Sequence, residues 1–234
     1  MHVPKLGILL PVGLFLIGLS VRGAASMPPS SYSIAEAASR EIASNERRPD
    51  RQNPPATEVW ENAVGKGFRN GAWHVGASLG GGFGADLGSG GFHDLVLGTA
   101  HVGRMIGGPV GSGRWYRGNW DLMGEVFGGR QFYPDKARVV GLTPVLRYHF
   151  ATGTRWIPFL EGGAGVSETD IGPPDLATRF EFHLIAGGGL QWFCCKNLAA
   201  TFHYRLGHLS NANIKGPNIG LNENVLLLGV TWFL

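Results

Sequence analysis

The chain has 234 residues, of which 44% are hydrophobic, 11% aromatic and 16% charged, with 38 glycines and 2 cysteines. Two cysteines exclude a disulfide-rich scaffold, glycines without a three-residue period exclude collagen, and the apolar content excludes classical disorder. The formal charge of +3 falls to +1 without residues 1–25, and no run of Lys or Arg marks a phosphate-tracking stripe, so a nucleic-acid partner is not expected.

Residues 1–25 carry Lys5, an uninterrupted apolar run from Leu6 to Ser20, and then Gly23-Ala24-Ala25. A basic start, a short apolar stretch and small residues before a cleavage point predict a secretory signal peptide; the run is short for a spanning helix, which needs roughly 20 apolar residues. Residues 26–65 are rich in Ser, Pro, Asn, Arg and Glu. They read as a polar linker or periplasmic extension, with a short helix over SIAEAASREIASNE broken by RRPDRQNPP.

From residue 66 to 234 the apolar period is two. Segments at roughly 72–84, 93–105, 115–131, 138–151, 156–168, 178–192, 197–210 and 223–234 alternate apolar with small or polar residues, which is strand patterning. Val140, Leu142, Leu146 and Tyr148 alternate with Arg147 and His149, and Phe202, Tyr204 and Leu206 with His203 and Arg205. Alternation alone fits a soluble sandwich too. The export signal, aromatic residues at segment ends (Tyr148, Phe150, Trp192, Trp232) and segment lengths near the 9–11 residues of a tilted membrane strand favour, within an all-β fold, a membrane barrel over the sandwich. The expected architecture is an eight-stranded antiparallel transmembrane β-barrel of the outer-membrane type.

Such a narrow barrel is filled by side chains and does not conduct. Asp121, Glu125, Arg147, Glu161, Glu181 and Arg205 fall on the predicted inner face, where opposite charges can satisfy one another. With both ends in the periplasm, the connections containing GADLGSGGFHD, FYPDKA, ETDIGPPDLA and NANIKGPNIGL face outside. Those containing GGPVGSG, ATGTR and FCCKN face inside. Cys194 and Cys195 are adjacent, which disfavours a disulfide between them, and they read as turn or lipid-edge residues. His74, His93, His101, His149, His183 and His203 lack metal-ligand pairing, and GASLGGGFGAD lacks the helix and Lys-Ser/Thr pair of a phosphate loop, so neither metal nor cofactor is expected.

The seventh segment ends TFHYRLGHLS. Phe202, Tyr204, Leu206, His208 and Ser210 share parity, so the lipid-facing stripe runs into a histidine and a serine. Residues i and i+2 lie roughly 6.5–7 Å apart along a strand. A tilted imidazole can therefore reach the serine oxygen and take its proton, which is the arrangement of base and nucleophile.

The block HLSNANIKGPNIGLN, followed by a terminal apolar strand, resembles the C-terminal signature of the lipid A 3-O-deacylase (PagL-type) outer-membrane enzymes. His-x-Ser-Asn-Ala and a following Pro-Asn-x-Gly match together over about 30 residues. The resemblance implies a cofactor-free site on the outer wall of an outer-membrane barrel, toward the outer leaflet, with lipid A as substrate and its 3-O-linked acyl ester as the bond cleaved. Carried over by position, Ser210 is the nucleophile and His208 the general base. The position that holds an acidic residue in the best-understood members is Asn222 here, and the nearest carboxylate is Glu223. By parity Asn222 faces lipid beside His208, whereas Glu223 turns outward only through a β-bulge. An asparagine can hold the imidazole tautomer but lends it no charge.

Asn211 and Asn218 are the local candidates for oxyanion donors, with loop turn chemistry as their other use. Lys215 reads as a solvated loop lysine. The competing function is a non-enzymatic structural or adhesion barrel in which HLSN merely finishes a strand. Self-association into a homo-oligomer is left open by the sequence, and Leu234 replaces the terminal aromatic common in such barrels.

Overall fold

The computed structural model describes residues 68–85 and 92–234. The expected signal peptide and linker lie outside the described residues. Eight strands follow in order: β1 (Trp73–Gly84), β2 (Asp94–Val110), β3 (Gly118–Tyr133), β4 (Ala137–Phe150), β5 (Trp156–Thr169), β6 (Phe180–Phe193), β7 (Leu198–Ser210) and β8 (Leu221–Phe233). Each pairs antiparallel with its chain neighbour, and β1 pairs with β8 from His74↔Phe233 to Gly84↔Glu223, closing the barrel. Closure leaves no strand edge unpaired, the requirement for backbone in a medium without water. Among the described residues no helix is long and apolar enough to cross a membrane.

The period-two pattern becomes two faces. Leu79, Val96, Val126, Val140, Leu160, Leu184, Phe202, Leu228 and Trp232 are exposed on the outer wall, while their sequence neighbours are buried or half-buried. An apolar exterior around a charged interior inverts the soluble pattern, which is why the wall reads as lipid-facing.

Inside, Asp121, Glu125, Arg147, Glu161, Glu181 and Arg205 are all buried. Arg147 and Arg205 both donate to Glu161, at 2.9 and 2.7 Å; Arg205 also grips Glu125 at 2.6 Å, and His203 Nδ1 lies 2.9 Å from Glu161. Asp121 is 2.6 Å from His149. Glu181 stands apart, accepting from the Thr178 hydroxyl at 2.9 Å. Apolar plugs lie beyond this polar belt, one containing Leu95, Ile171, Leu176, Leu209 and Leu221 and the other Phe68, Met105, Ile157, Phe193 and Phe233. Arg179, two residues before Glu181, is exposed at the rim and paired with Glu168 at 2.5 Å.

Several strand ends differ from the sequence expectation; β3, for example, begins at Gly118 and not at 115. β2 runs on to Val110, so the first four residues of the GGPVGSG connection are strand, with an irregularity between Ile106 and Val110. β8 begins at Leu221, two residues early, which brings Asn222 into the sheet. At the closing seam a side chain on Gly80 would collide with the Leu226 carbonyl oxygen, so the strands can meet there only without a Cβ.

Candidate active site

β7 and β8 run antiparallel with His208 directly opposite Asn222 and Leu209 opposite Leu221. Directly opposed side chains on one face are the closest contacts in a sheet. His208 Nδ1–H donates to Asn222 Oδ1 at 2.7 Å, and its other ring nitrogen, Nε2, accepts from the Ser210 hydroxyl at 3.0 Å. The two bonds form one line, Ser210–His208–Asn222. The bond at Nδ1 fixes the tautomer that leaves a lone pair on Nε2 facing the serine.

All three side chains lie on the outer wall. His208 and Ser210 share the parity of the exposed Phe202, Tyr204 and Leu206, and Asn222 that of Leu226 and Leu228. Toward β6 they border Phe182 and Leu184, which pair with Ser210 and His208 and are exposed. One residue pair deeper, Tyr204 donates to Asn224 at 2.8 Å, continuing the polar streak down an otherwise apolar surface. Sequence reasoning passed over Asn224, although it shares parity with Asn222.

Glu223 points the other way. The β7–β8 pairing runs without a register shift from Leu198↔Trp232 to Leu209↔Leu221, so no bulge turns it outward. It is buried inside the barrel, its Oε2 near the space beside Gly82 and Gly207. The sheet itself separates its carboxyl from His208.

The connection 211–220 is braced from within and from a neighbour. Ile214 N–H donates to Asn211 O across a tight turn whose central residues, Ala212 and Asn213, have φ of 52° and 62°. The Asn211 amide donates to Lys215 O at 2.9 Å and to Thr178 Oγ1 at 3.2 Å, so both its N–H groups are engaged inside the loop framework. Asn218 Oδ1 accepts from Ala177 N–H at 3.4 Å, which leaves its amide nitrogen as the available donor. Ile219 and Gly220 N–H groups donate to Pro174 O and Asp175 O. Lys215 is exposed, and its carbonyl is its contribution to the turn.

The β5–β6 connection is thus the buttress of the candidate site. His93 anchors it in turn, with Nε2 3.2 Å from Asp175 Oδ2 and Nδ1 2.7 Å from Gln131 Oε1. Gly220 is the glycine of the Pro-Asn-x-Gly motif: its φ of +84° is left-handed backbone, and a Cβ there would lie 3.0 Å from His208 Cε1. The motif marked the position but not the contact with the His208 ring that requires a glycine there. Among the described residues no group of three or more His, Cys, Asp or Glu side chains is assembled to hold a metal ion.

Comparison with known proteins adds family evidence. A family model described as lipid A 3-O-deacylase (PagL) matches residues 104–231. Among solved structures, the outer membrane enzyme PagL superposes with a TM-score of 0.50 at 21% identity, over 67% of this chain and 97% of that one. Neisserial surface protein A superposes with a TM-score of 0.52 at 12% identity, over 70% of this chain and 97% of that one. At these identities the two structures speak to the fold alone. No curated protein matches the chain.

Proposed function

Since the chain belongs to the lipid A 3-O-deacylase (PagL) family, we propose that it is an outer-membrane serine esterase that removes the 3-O-linked acyl chain of lipid A. Ser210 is the nucleophile, His208 the general base and Asn222 the residue that positions the imidazole. The observation that carries this reading is the unbroken hydrogen-bonded line Ser210–His208–Asn222 on the lipid-facing wall.

The chemistry follows from that line. Ser210 Oγ attacks the acyl carbonyl as Nε2 of His208 takes its proton, and the resulting imidazolium is held in place by Asn222 Oδ1. Collapse of the tetrahedral intermediate breaks the ester C–O bond, and His208 gives its proton to the departing sugar 3-hydroxyl. Water, deprotonated by the same nitrogen, then cleaves the acyl-serine and releases a free fatty acid. The oxyanion of each intermediate needs a donor. Of the two asparagines, Asn218 suits this role, because the Asn211 amide is already spent on Lys215 O and Thr178.

An outward-facing site takes its substrate sideways from the membrane, without passage through the filled lumen. The orientation that puts connection 211–220 outside brings the site to the leaflet in which lipopolysaccharide resides. The test is mass spectrometry of lipid A from a Gram-negative host expressing the wild-type chain or Ser210→Ala. Loss of one ester-linked acyl chain is expected with the wild type alone. Identical lipid A from both, in a host whose lipid A a known deacylase accepts, would instead support a structural or adhesion barrel.

A further inference from the structure

The outer wall breaks its apolar pattern at a second place, on β3 and β4. Arg130 and Arg138 are direct cross-strand partners, both exposed on the outward face near the turn that joins the strands. Like charges placed directly opposite destabilise a strand pair unless something between them is negative. Lys136 in the turn adds a third cation, and the three line a cleft of about 460 Å³ with Val96, Phe132 and Asp170.

Asp170 is the acidic member of that lining, and it is committed to Arg138. Its Oδ2 lies 3.2 Å from Arg138 Nε and its Oδ1 accepts the Arg138 backbone N–H at 2.5 Å. That backbone donation holds the Asp170 carboxyl below its ordinary range, so it stays charged and paired. Nearby Arg179 is matched by Glu168, and Asp135 is exposed in the turn outside the cleft lining. Arg130 and Lys136 have no ion-pair partner among the described residues. The cleft therefore keeps an excess of positive charge beside exposed Val96 and Phe132.

We infer that this cleft binds the phosphate of an outer-leaflet phosphoglycolipid as a second, non-catalytic site. A guanidinium presents paired donors to phosphate oxygens, a lysine adds a point charge, and the apolar flank suits the acyl chains below the headgroup. In the closed strand order, β3 and β4 lie opposite β7 and β8, so the lipid held here is a different molecule from the one at Ser210. The inference rests on the reading that this end of the barrel faces the cell exterior.

The experiment uses the full chain with Ser210→Ala, so that bound lipid is not consumed, in detergent micelles titrated with bis-phosphorylated lipid A. Native mass spectrometry counts the lipids bound per barrel. Two are expected, and Arg130→Gln with Lys136→Gln should weaken one of the two binding steps by about thirtyfold, with circular dichroism unchanged. The same pair of substitutions in the Ser210 enzyme should leave hydrolysis unaltered, and dephosphorylated lipid A should occupy one site only. An unchanged lipid count in the double variant, or full second-site occupancy by dephosphorylated lipid A, would overturn the inference. Displacement by inorganic phosphate at matching concentration would overturn it as well, by assigning the cleft to a free anion. Failure of the wild-type chain to deacylate lipid A, with Arg130- and Lys136-dependent binding intact, would strike the proposed esterase and not this cleft.

Discussion

Asn222 and Glu223 are neighbours in sequence and on opposite sides of a sheet, and the proposed mechanism depends on which of them meets His208. The amide oxygen is 2.7 Å from Nδ1, while the carboxyl is inside the barrel. Asn222→Ala should therefore lower kcat by about 10²–10⁴, judged from what loss of the orienting residue costs other triads. Glu223→Ala should leave kcat within a few-fold, and the reverse pattern in steady-state kinetics would show that the register in solution differs. The two nearby asparagines separate in the same way. Asn218→Ala should cost about 10²–10³ in kcat if it donates to the oxyanion. Asn211→Ala removes one hydrogen bond within the 211–220 connection and one to Thr178 of the β5–β6 connection, so its effect should appear first as faster proteolysis of the 211–220 connection.

At the scale of elements, the site is a property of the β7–β8 hairpin and its buttress. The i, i+2 spacing of His208 and Ser210 needs only one extended strand, and that was legible in TFHYRLGHLS. The opposition of His208 and Asn222 needs the pairing of two strands across a connection, whose register the outward parity of Leu226 and Leu228 already constrained. What the sequence could not disclose is the support from β5–β6, because Thr178, Ala177 and Asp175 lie far along the chain from the groups they meet. Gly220 belongs to this scale. Its backbone is left-handed at +84°, and an added methyl meets the His208 ring at 3.0 Å. Gly220→Ala should accordingly reduce kcat by tenfold or more while heat-modifiable migration on gels still reports a closed barrel. Unchanged turnover would mean that the ring position tolerates this displacement.

For the whole molecule, the lumen network is the main cost and the main constraint. Glu161 accepts from Arg147 and Arg205 and lies against His203, and all are buried. Removing that one carboxylate strands the Arg147 guanidinium in a low-dielectric interior and leaves Arg205 with Glu125 alone. Glu161→Ala should destabilise the folded barrel by about 3–5 kcal/mol, read from urea-induced unfolding in detergent or lipid. Glu168→Ala, which breaks an exposed rim pair with Arg179, should cost no more than about 1 kcal/mol by the same measurement. A similar loss for both would mean that water reaches the interior pair.

The sequence by itself determined the strand count, the two faces of the wall and the outward placement of His208 and Ser210, because a period of two assigns every side chain to one side of a sheet. It also held the family motif. Tertiary structure decided which residues far apart in the chain meet: the sharing of Glu161 between two arginines and the hold of the β5–β6 connection on the candidate site. Those contacts arise from closure, which joins residues by position around a cylinder, and alternation along one strand carries no information about distance around it.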